Sequence, residues 1–211
     1  MALINIPYVA QPKKSPKCGV ACLAMLIKYY SKQKVDLDEI WSNVRDISPE
    51  LSREYCKTYK LGAYLNSIGI KCSIVRYTDL SEFLSLCLDN EIAPVVNHLS
   101  FENKIGGHFS VVKNFVDSRV ILNDPENRKR NSVSLKELDT SATKTANKDQ
   151  EIGGNTALVV TEHLSVSTSR HCPNCGSPID TSFSELANSN GKVISAELCL
   201  SCDSFSLSES T

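Results

Sequence analysis

The sequence predicts an α+β fold in which a larger domain is followed by a small cysteine-rich unit. Residues 20–27 form an uncharged apolar segment directly after Cys18, which predicts a helix that is buried on most of its sides. Residues 70–77 alternate between apolar and polar side chains, as half-buried strands do. Two Cys-x-x-Cys pairs, which begin at Cys172 and Cys199, mark the second unit.

Composition limits the class of protein. The 211 residues are 41% hydrophobic and 22% charged, which is ordinary for a globular protein with a core. With 23 basic and 24 acidic residues the net charge is −1, which argues against a general nucleic-acid binder or a membrane-surface protein. No segment reaches the length of a transmembrane helix, and the N-terminus lacks the pattern of a secretory signal. We therefore expect a cytoplasmic protein whose nine cysteines are free thiols or metal ligands.

The first part of the chain is predicted to be helical. The helix that begins at Cys18 should end near residue 31. A second helix should start at Asp36, because its acidic first turn suits the positive end of a helix dipole. Residues 51–68 carry apolar side chains at three- and four-residue spacing, so we expect a third helix there, broken near Gly62.

Strands dominate the middle of the chain. The strand at 70–77 is followed by a helix with Asp79 as its N-cap and by a strand at 93–98. An apolar strand then begins at His108, and the short connection at 115–119 predicts a hairpin to a second strand. After a polar, flexible stretch at 140–150, a buried strand at 156–162 should complete the sheet.

Cys18 is the candidate nucleophile. A thiol at a helix N-terminus faces unpaired backbone N–H groups and the positive end of the dipole, and both favour the thiolate. Cysteine is also among the most frequently buried residue types, so position alone leaves a core role open. Partner residues are needed to decide between the two.

The predicted hairpin supplies these partners. His108 begins its first strand and Asp124 follows its second, so antiparallel pairing brings them together, and the carboxylate can orient the imidazole. Gln11, seven residues before Cys18, can donate a side-chain amide hydrogen bond to an oxyanion. His98 competes for the role of base but has no carboxylate at hairpin spacing. We therefore expect His98 at the rim of the substrate groove.

Together these motifs resemble the bacteriocin-processing peptidases, which are papain-like cysteine peptidases that remove leader peptides after a double glycine. The resemblance covers residues 6–162. Its motifs are Gln11, Cys18-Gly19, Ala21-Cys22-Leu23-Ala24-Met25, Tyr29-Tyr30, Gly107-His108-Phe109, Val111-Val112 and Asn123-Asp124-Pro125. It implies a papain-like fold in which an N-terminal helical part carries the nucleophile and an antiparallel sheet carries the histidine and the aspartate.

The resemblance also assigns roles. It implies that Cys18 is the nucleophile, His108 the general base and acid, Asp124 the orienter of His108, and Gln11 the oxyanion donor. Lys17 departs from the pattern, because the family commonly has an acidic residue at that position. Many relatives are fused to a membrane transporter, which this chain lacks, so we expect a soluble substrate with a glycine-ending segment.

The second unit predicts a structural metal site. Cys172, Cys175, Cys199 and Cys202 supply four thiolates at a spacing suited to tetrahedral zinc. We expect a zinc ribbon with strands at 179–183 and 193–198, joined through residues 187–191. Such a ribbon can bind a protein partner, present the substrate or cap the first domain.

The predicted division of the chain follows from these units. Residues 1–163 form a papain-like peptidase domain, 164–170 a linker, 171–205 the zinc ribbon and 206–211 a flexible tail. We expect the two units to fold independently, the second on its metal. The pair Gly153-Gly154 predicts a turn, with self-cleavage at this pair as the alternative.

The predicted function is that of a cysteine peptidase that cleaves a peptide or protein after glycine or Gly-Gly through a thioester. A ubiquitin-like tail is one such substrate. One alternative is a catalytically silent module that binds a peptide tail, and the other is an acyl transferase or deamidase that shares the thioester. No membrane span and no nucleic-acid partner are expected.

Overall fold

Six helices and twelve strands make up the described part of the chain. The computed structural model describes residues 3–48, 53–102, 106–143, 154–165, 168–189, 191 and 193–207. The elements are α1 (Cys18–Tyr30), α2 (Leu37–Val44), β1 (Arg45–Ser48), β2 (Arg53–Cys56), α3 (Thr58–Ser67), β3 (Cys72–Tyr77), α4 (Leu80–Asp89), β4 (Val95–Leu99), β5 (Gly107–Val116), β6 (Arg119–Asn123), β7 (Ser132–Ser134), α5 (Leu135–Thr143), β8 (Thr156–Val160), β9 (Ser169–His171), β10 (Pro178–Asp180), α6 (Ser182–Asn188), β11 (Ile194–Leu198) and β12 (Phe205–Leu207).

An eight-stranded antiparallel sheet forms the centre of the described structure. Its strand order is β12-β11-β3-β8-β4-β5-β6-β7, and every neighbouring pair is antiparallel. Helix α1 packs on β5 and helix α3 packs on β3. Two further hairpins, β1–β2 and β9–β10, lie outside this sheet. The α+β prediction is confirmed.

Helix α1 is buried along most of its length, as its uncharged sequence predicts. All ten residues from Cys18 to Ile27 are buried. The helix ends where the Ser31 backbone N–H and hydroxyl both donate to the carbonyl of Ile27, at 3.0 and 2.8 Å. Because nearly every face of α1 meets protein, its position is determined by packing on its neighbours.

The acidic caps of the next helices are confirmed. The Asp36 side chain accepts hydrogen bonds from the backbone N–H groups of Asp38 and Glu39 at the start of α2. The Asp79 side chain accepts one from Glu82 at the start of α4. Each cap satisfies helix N–H groups that have no partner within the helix.

The prediction for residues 51–68 is wrong in two respects. Residues 53–56 form β2, which pairs with β1, and α3 then runs through Gly62 without a break. A Cβ at Gly62 would lie 2.8 Å from the Leu200 side chain. The glycine therefore serves close packing with the C-terminal unit rather than a helix break, and this long-range contact is invisible in the local sequence.

The C-terminal unit shares the main core, which argues against independent folding of the two units. Strand β11 pairs with β3 in the central sheet, and Phe183, Ile194 and Leu198 belong to the same core as the helices before them. The Phe183 ring lies 5.9 Å from that of Phe83 in an edge-on contact. Pairing with β11 also covers β3, which would otherwise be an exposed edge strand.

Local elements of this unit differ from the prediction as well. Residues 182–188, expected to end one strand and begin the connection to the next, form α6, and the strand before it is only Pro178–Asp180. Strand β9 begins at Ser169, inside the predicted linker, and β12 reaches Leu207, inside the predicted tail. Residues 166–167 and 208–211 lie outside the described part. The proposed division at 163 stays a prediction.

The polar stretch before β8 is described only at its ends. Residues 140–143 complete α5, whereas 144–153, including Gly153 of the glycine pair, lie outside the described residues. Gly154 and Asn155 have φ of 67° and 57°, which is turn geometry immediately before β8.

Within the described residues, no helix is long and apolar enough to cross a membrane.

The shared core predicts that a cavity in α6 destabilises the whole chain. Phe183→Ala removes a fully buried ring and should lower the free energy of unfolding by about 3–5 kcal/mol. Leu207→Ala is the control, because Leu207 is 78% exposed and should change stability by less than about 0.5 kcal/mol. For Phe183→Ala, urea unfolding measured by far-UV circular dichroism should show a single transition, with its midpoint shifted to a lower urea concentration. A separate early transition, with the main midpoint unchanged, would show independent units instead.

Candidate active site

Cys18 is the first residue of α1 and is buried at the N-terminus of that helix. The first intrahelical hydrogen bond runs from the Ala21 N–H to the Lys17 carbonyl, at 3.0 Å. A Cβ at Gly19 would lie 2.9 Å from Leu61 of α3 and 3.3 Å from Phe109 of β5. A glycine after the cysteine therefore lets the start of α1 approach both elements closely.

His108 and Asp124 are in direct contact, as the hairpin predicts. Strands β5 and β6 pair with Val111 opposite Asn123, which brings the start of the first beside the end of the second. The His108 Nε2 atom lies 2.9 Å from Asp124 Oδ1. Both side chains are almost fully buried. Cys18 is also close to His108, because its thiol is among the groups that raise the pKa of this imidazole.

Asp124 is held as a buried carboxylate. Burial alone would raise its pKa, but the hydrogen bond and charge of His108, the Glu126 backbone N–H and Arg130 together lower it below its ordinary value. The Glu126 N–H lies 2.9 Å from Oδ1 and Arg130 Nη1 lies 3.3 Å from Oδ2. Arg130 is in turn paired with Glu102 at 2.9 Å. The sequence analysis did not identify Arg130 as a residue of the site.

The His108 imidazole is stabilised in its charged form. Burial lowers its pKa, but hydrogen bonds to Asp124 and to Cys18, with the charges of both groups, outweigh burial and raise the pKa to about 10. The imidazolium is therefore the resting form near neutral pH. An imidazolium beside a thiol is the electrostatic arrangement that supports a nucleophilic thiolate.

His98 is not a rim residue, which corrects our prediction. It lies opposite His108 in the β4–β5 pairing and is fully buried. Its Nδ1–H donates to the Leu99 carbonyl at 2.7 Å, so Nε2 accepts from the Ser110 hydroxyl at 3.0 Å. Burial, with the neighbouring charge of His108, lowers its pKa to about 3. His98 is thus a neutral histidine with both ring nitrogens hydrogen-bonded. Its ring makes an edge-on contact with His108, with 5.3 Å between the ring centres.

Gln11 lies beside this site on a loop tied to the end of β6. Its backbone N–H donates to the Pro125 carbonyl at 2.9 Å, and its side-chain amide nitrogen donates to the Ser15 carbonyl at 3.1 Å. An amide nitrogen has two hydrogens, so one remains available to an oxyanion. The role of oxyanion donor stays a prediction.

Cys56 is a neighbour of Cys18 that sequence reasoning missed. Its thiol, at the end of β2, donates to the Pro16 carbonyl at 3.4 Å, two residues before Cys18. Burial, and then the adjacent Cys18, raise the pKa of Cys56 well above its ordinary value. It is therefore a protonated thiol beside the nucleophile. No local signal marks this contact, because β2 was itself not predicted.

The four C-terminal cysteines form one cluster. Their sulfur atoms all lie within 4.8 Å of one another, with Cys172–Cys202 and Cys175–Cys199 both at 3.7 Å. Tetrahedral Zn–S bonds of about 2.3 Å place sulfur atoms about 3.8 Å apart, so the spacing fits zinc. The hydrogen bond from the Cys175 backbone lowers the pKa of Cys172 to about 6, whereas burial raises the pKa of Cys199 to about 12.

The cysteine cluster contacts α3, the helix that packs on the start of α1. The second Cys-x-x-Cys turn places Leu200 against Gly62 of α3. Asp203, immediately after it, pairs with Lys57 at 3.4 Å, and Lys57 precedes α3 directly. Helix α3 also contacts α1 through Leu61. One helix therefore separates the second Cys-x-x-Cys turn from the start of α1.

Comparison with known proteins agrees with this geometry. A helix that carries a cysteine, packed on an antiparallel sheet that carries a histidine and an aspartate, is the arrangement of papain-like cysteine peptidases. The model of the Peptidase C39 family matches residues 5–146, more than half of the chain. The chain belongs to the Peptidase C39 family and is a cysteine peptidase.

Three solved structures share the fold. One is a double glycine motif protease from an AMS/PCAT transporter in complex with the leader peptide, with 21% identity, a TM-score of 0.50 and coverage of 74% of this chain and 91% of that one. The peptidase domain of Streptococcus ComA, a bifunctional ABC transporter, has 14% identity, a TM-score of 0.52 and coverage of 74% and 98%. A C39-like peptidase from Bacillus anthracis has 14% identity, a TM-score of 0.53 and coverage of 75% and 96%. The comparison with curated proteins finds no match.

The charged state of His108 predicts the pH dependence of activity. Because its pKa is raised to about 10, kcat/KM should hold through neutral pH and fall as the pH rises through about 10. Asp124→Asn removes the anionic partner of His108. Burial should then lower the pKa of the imidazole, so the decline of kcat/KM should begin at lower pH, and kcat should fall about 10²–10⁴-fold. Peptide hydrolysis measured from pH 6 to 11 tests both effects. Unchanged activity in Asp124→Asn, together with a folded but inactive His98→Gln variant, would instead assign the base to His98.

Proposed function

We propose that the chain hydrolyses peptide bonds after glycine, with Cys18 as nucleophile, His108 as general base and acid, and Asp124 as the residue that orients His108. The observation that carries this proposal is the buried His108–Asp124 pair, together with a cysteine at a helix N-terminus that is close enough to raise the pKa of His108. All three side chains are buried, so their mutual orientation is held by packing. Orientation of this kind is what a triad requires.

The proposed reaction begins with attack of the Cys18 thiolate on the substrate carbonyl carbon. The oxyanion accepts hydrogen bonds from the Cys18 backbone N–H and from the free hydrogen of the Gln11 amide. His108 gives its proton to the leaving amine as the C–N bond breaks, which leaves a thioester on Cys18. The neutral His108 then takes a proton from water, the resulting hydroxide attacks the thioester, and the acid product departs from a restored thiolate.

The preference for glycine is supported by the resemblance and by one structural neighbour. The protease from the AMS/PCAT transporter is described as a double glycine motif protease and was solved with its leader peptide. The preference for glycine would require a narrow cleft beside Cys18. A narrow cleft rejects a β-carbon by steric exclusion, which discriminates more sharply than a pocket that is merely too large. A soluble protein with a flexible glycine-ending segment, such as a ubiquitin-like tail, is the proposed substrate, and a cytoplasmic location stays part of this proposal.

The cysteine cluster is proposed to hold one structural zinc ion. Cys172, Cys175, Cys199 and Cys202 would all be ligands, so the ion would supply only a cross-link between two turns and no open position for chemistry. Through Leu200 and Asp203 the cross-linked turn would support α3. A protein partner for this unit stays a prediction.

A series of four peptides tests the reaction and its specificity. The residues before the scissile bond are Gly-Gly, Gly-Ala, Ala-Gly and Ala-Ala, and initial rates are measured with products identified by mass spectrometry. We expect the Gly-Gly peptide to be cleaved fastest, by at least about tenfold, and Cys18→Ala to be inactive. Equal rates across the series would remove the glycine preference. Deamidated or ligated products would identify an alternative use of the same thioester, and a complete lack of turnover would favour a silent binding module.

The metal proposal predicts one zinc ion per chain by elemental analysis. Ligation requires thiolates, so acid or a strong chelator should release the ion. Cys202→Ser should lower the zinc content, whereas Cys87→Ala, which alters a buried thiol of α4 outside the cluster, should keep it. Because the unit contacts α3, zinc loss should also lower the unfolding midpoint of the whole chain. A metal-free protein of unchanged stability would contradict this role.

A further inference from the structure

Two loops rich in basic residues are directly connected to residues of the candidate active site. The first, residues 12–17, joins Gln11 to Cys18, and the second, residues 125–130, follows Asp124. They are tied together by the hydrogen bond from the Gln11 backbone N–H to the Pro125 carbonyl, at 2.9 Å. Both loops are therefore anchored to residues of the proposed reaction.

The structure divides the six cations of these loops into two sets. Lys17 is paired with Asp38 at 2.6 Å, and Arg130 is paired with Asp124 and Glu102. The other four are exposed and have no ion pair within the described part of the chain. These four, which we call the basic rim, are Lys13, Lys14, Arg128 and Lys129.

The first half of the basic rim is held by a turn. The Ser15 N–H donates to the Pro12 carbonyl at 3.2 Å, with Lys13 and Lys14 between them, and Lys14 has a positive φ of 54°. The Ser15 carbonyl accepts the side-chain hydrogen bond of Gln11. The backbone of this lysine pair is thus fixed relative to the proposed oxyanion donor.

The second half is held by an aromatic ring. The Arg128 guanidinium lies 5.4 Å from the centre of the Tyr8 ring, which is a cation–π distance. The Tyr8 hydroxyl donates to the backbone carbonyls of Asp124 and Pro125, at 3.1 and 3.3 Å. Tyr8 therefore links the position of Arg128 to the end of β6, where the proposed catalytic residue Asp124 lies. The acid of this loop, Glu126, accepts a hydrogen bond from Ser100 at 3.4 Å rather than pairing with the rim.

The basic rim thus places four exposed cations without an ion pair in the described residues on two neighbouring loops, although the net charge of the chain is −1. Clustered charge of one sign beside a cleft attracts ligands of the opposite sign and raises their association rate, and salt screens the effect. We propose that the basic rim binds acidic side chains of the substrate peptide close to its scissile glycine. The inference rests on the proposed peptidase function and extends it, because it adds a charge requirement to the glycine requirement.

Binding to the inactive protein tests the rim independently of turnover. Two fluorescent peptides share a central Gly-Gly and differ only in their flanking residues, three aspartates in one and three serines in the other. Fluorescence anisotropy with Cys18→Ala at about 20 mM salt should show Kd about tenfold lower for the acidic peptide, an advantage that about 300 mM salt removes. The double variants Lys13→Glu with Lys14→Glu, and Arg128→Glu with Lys129→Glu, should each bring the ratio of the two Kd values towards one.

A matched control exists at the other end of α1. Lys32 and Lys34 are also an exposed lysine pair, and Lys32 has a positive φ of 57° as Lys14 does. Their double change to glutamate should leave the Kd ratio unchanged.

Equal Kd values for the two peptides at low salt, or the same loss in the control as in the rim variants, would overturn the proposal. It would also be overturned if a single-stranded oligonucleotide bound the rim as tightly as the acidic peptide. With the active enzyme, cleavage of both peptides at equal kcat/KM would reject the charge requirement alone. Charge-dependent binding without any cleavage would reject the peptidase function and keep the rim.

Discussion

The packing of α1 against β5 is the constraint on which the rest of the site depends. The helix has no charged residue between Cys18 and Ile27 and is buried throughout that span. Gly19 allows contact with Phe109, and the Cys22 thiol donates to the Phe109 carbonyl at 3.4 Å. Since Phe109 directly follows His108, the same contact sets the distance between the helix start and the imidazole. A side chain at Gly19 would therefore push the start of α1, which carries Cys18, away from the strand that carries His108.

A chain of charges extends from that contact to the protein surface. Glu102 pairs with Arg130, Arg130 with Asp124, and Asp124 with His108, which meets Cys18. Burying a carboxylate and an imidazolium is unfavourable unless each is compensated. Here every charge has a partner, so the low pKa of Asp124 and the high pKa of His108 support each other. The neutral His98 behind the pair adds no further charge.

The C-terminal unit is joined to the site through the sheet and through α3. Strand β11 covers the edge of β3, and Phe183 fills the core beside Phe83. The second cysteine turn reaches α3 through Leu200 and Asp203, and α3 contacts α1. The cysteine cluster is thus in contact, through α3, with the helix that carries Cys18. A unit that looks like an appendage in the sequence therefore shares the central sheet and the core with the rest of the described chain.

The sequence by itself determined the features that depend on local chemistry. Uncharged residues after Cys18 predicted the buried helix, the caps of α2 and α4 followed from Asp36 and Asp79, and the β5–β6 hairpin predicted the contact of His108 with Asp124. The four cysteines likewise predicted their own cluster, because short spacing leaves them few other arrangements.

Only the tertiary structure decided which distant segments meet. The burial of His98 opposite His108, the place of Cys56 beside Cys18 and the docking of Leu200 on Gly62 all join residues far apart in the chain or opposite each other in the sheet. Periodicity and capping report on a residue's immediate neighbours, whereas packing chooses partners by shape and charge after the chain has folded.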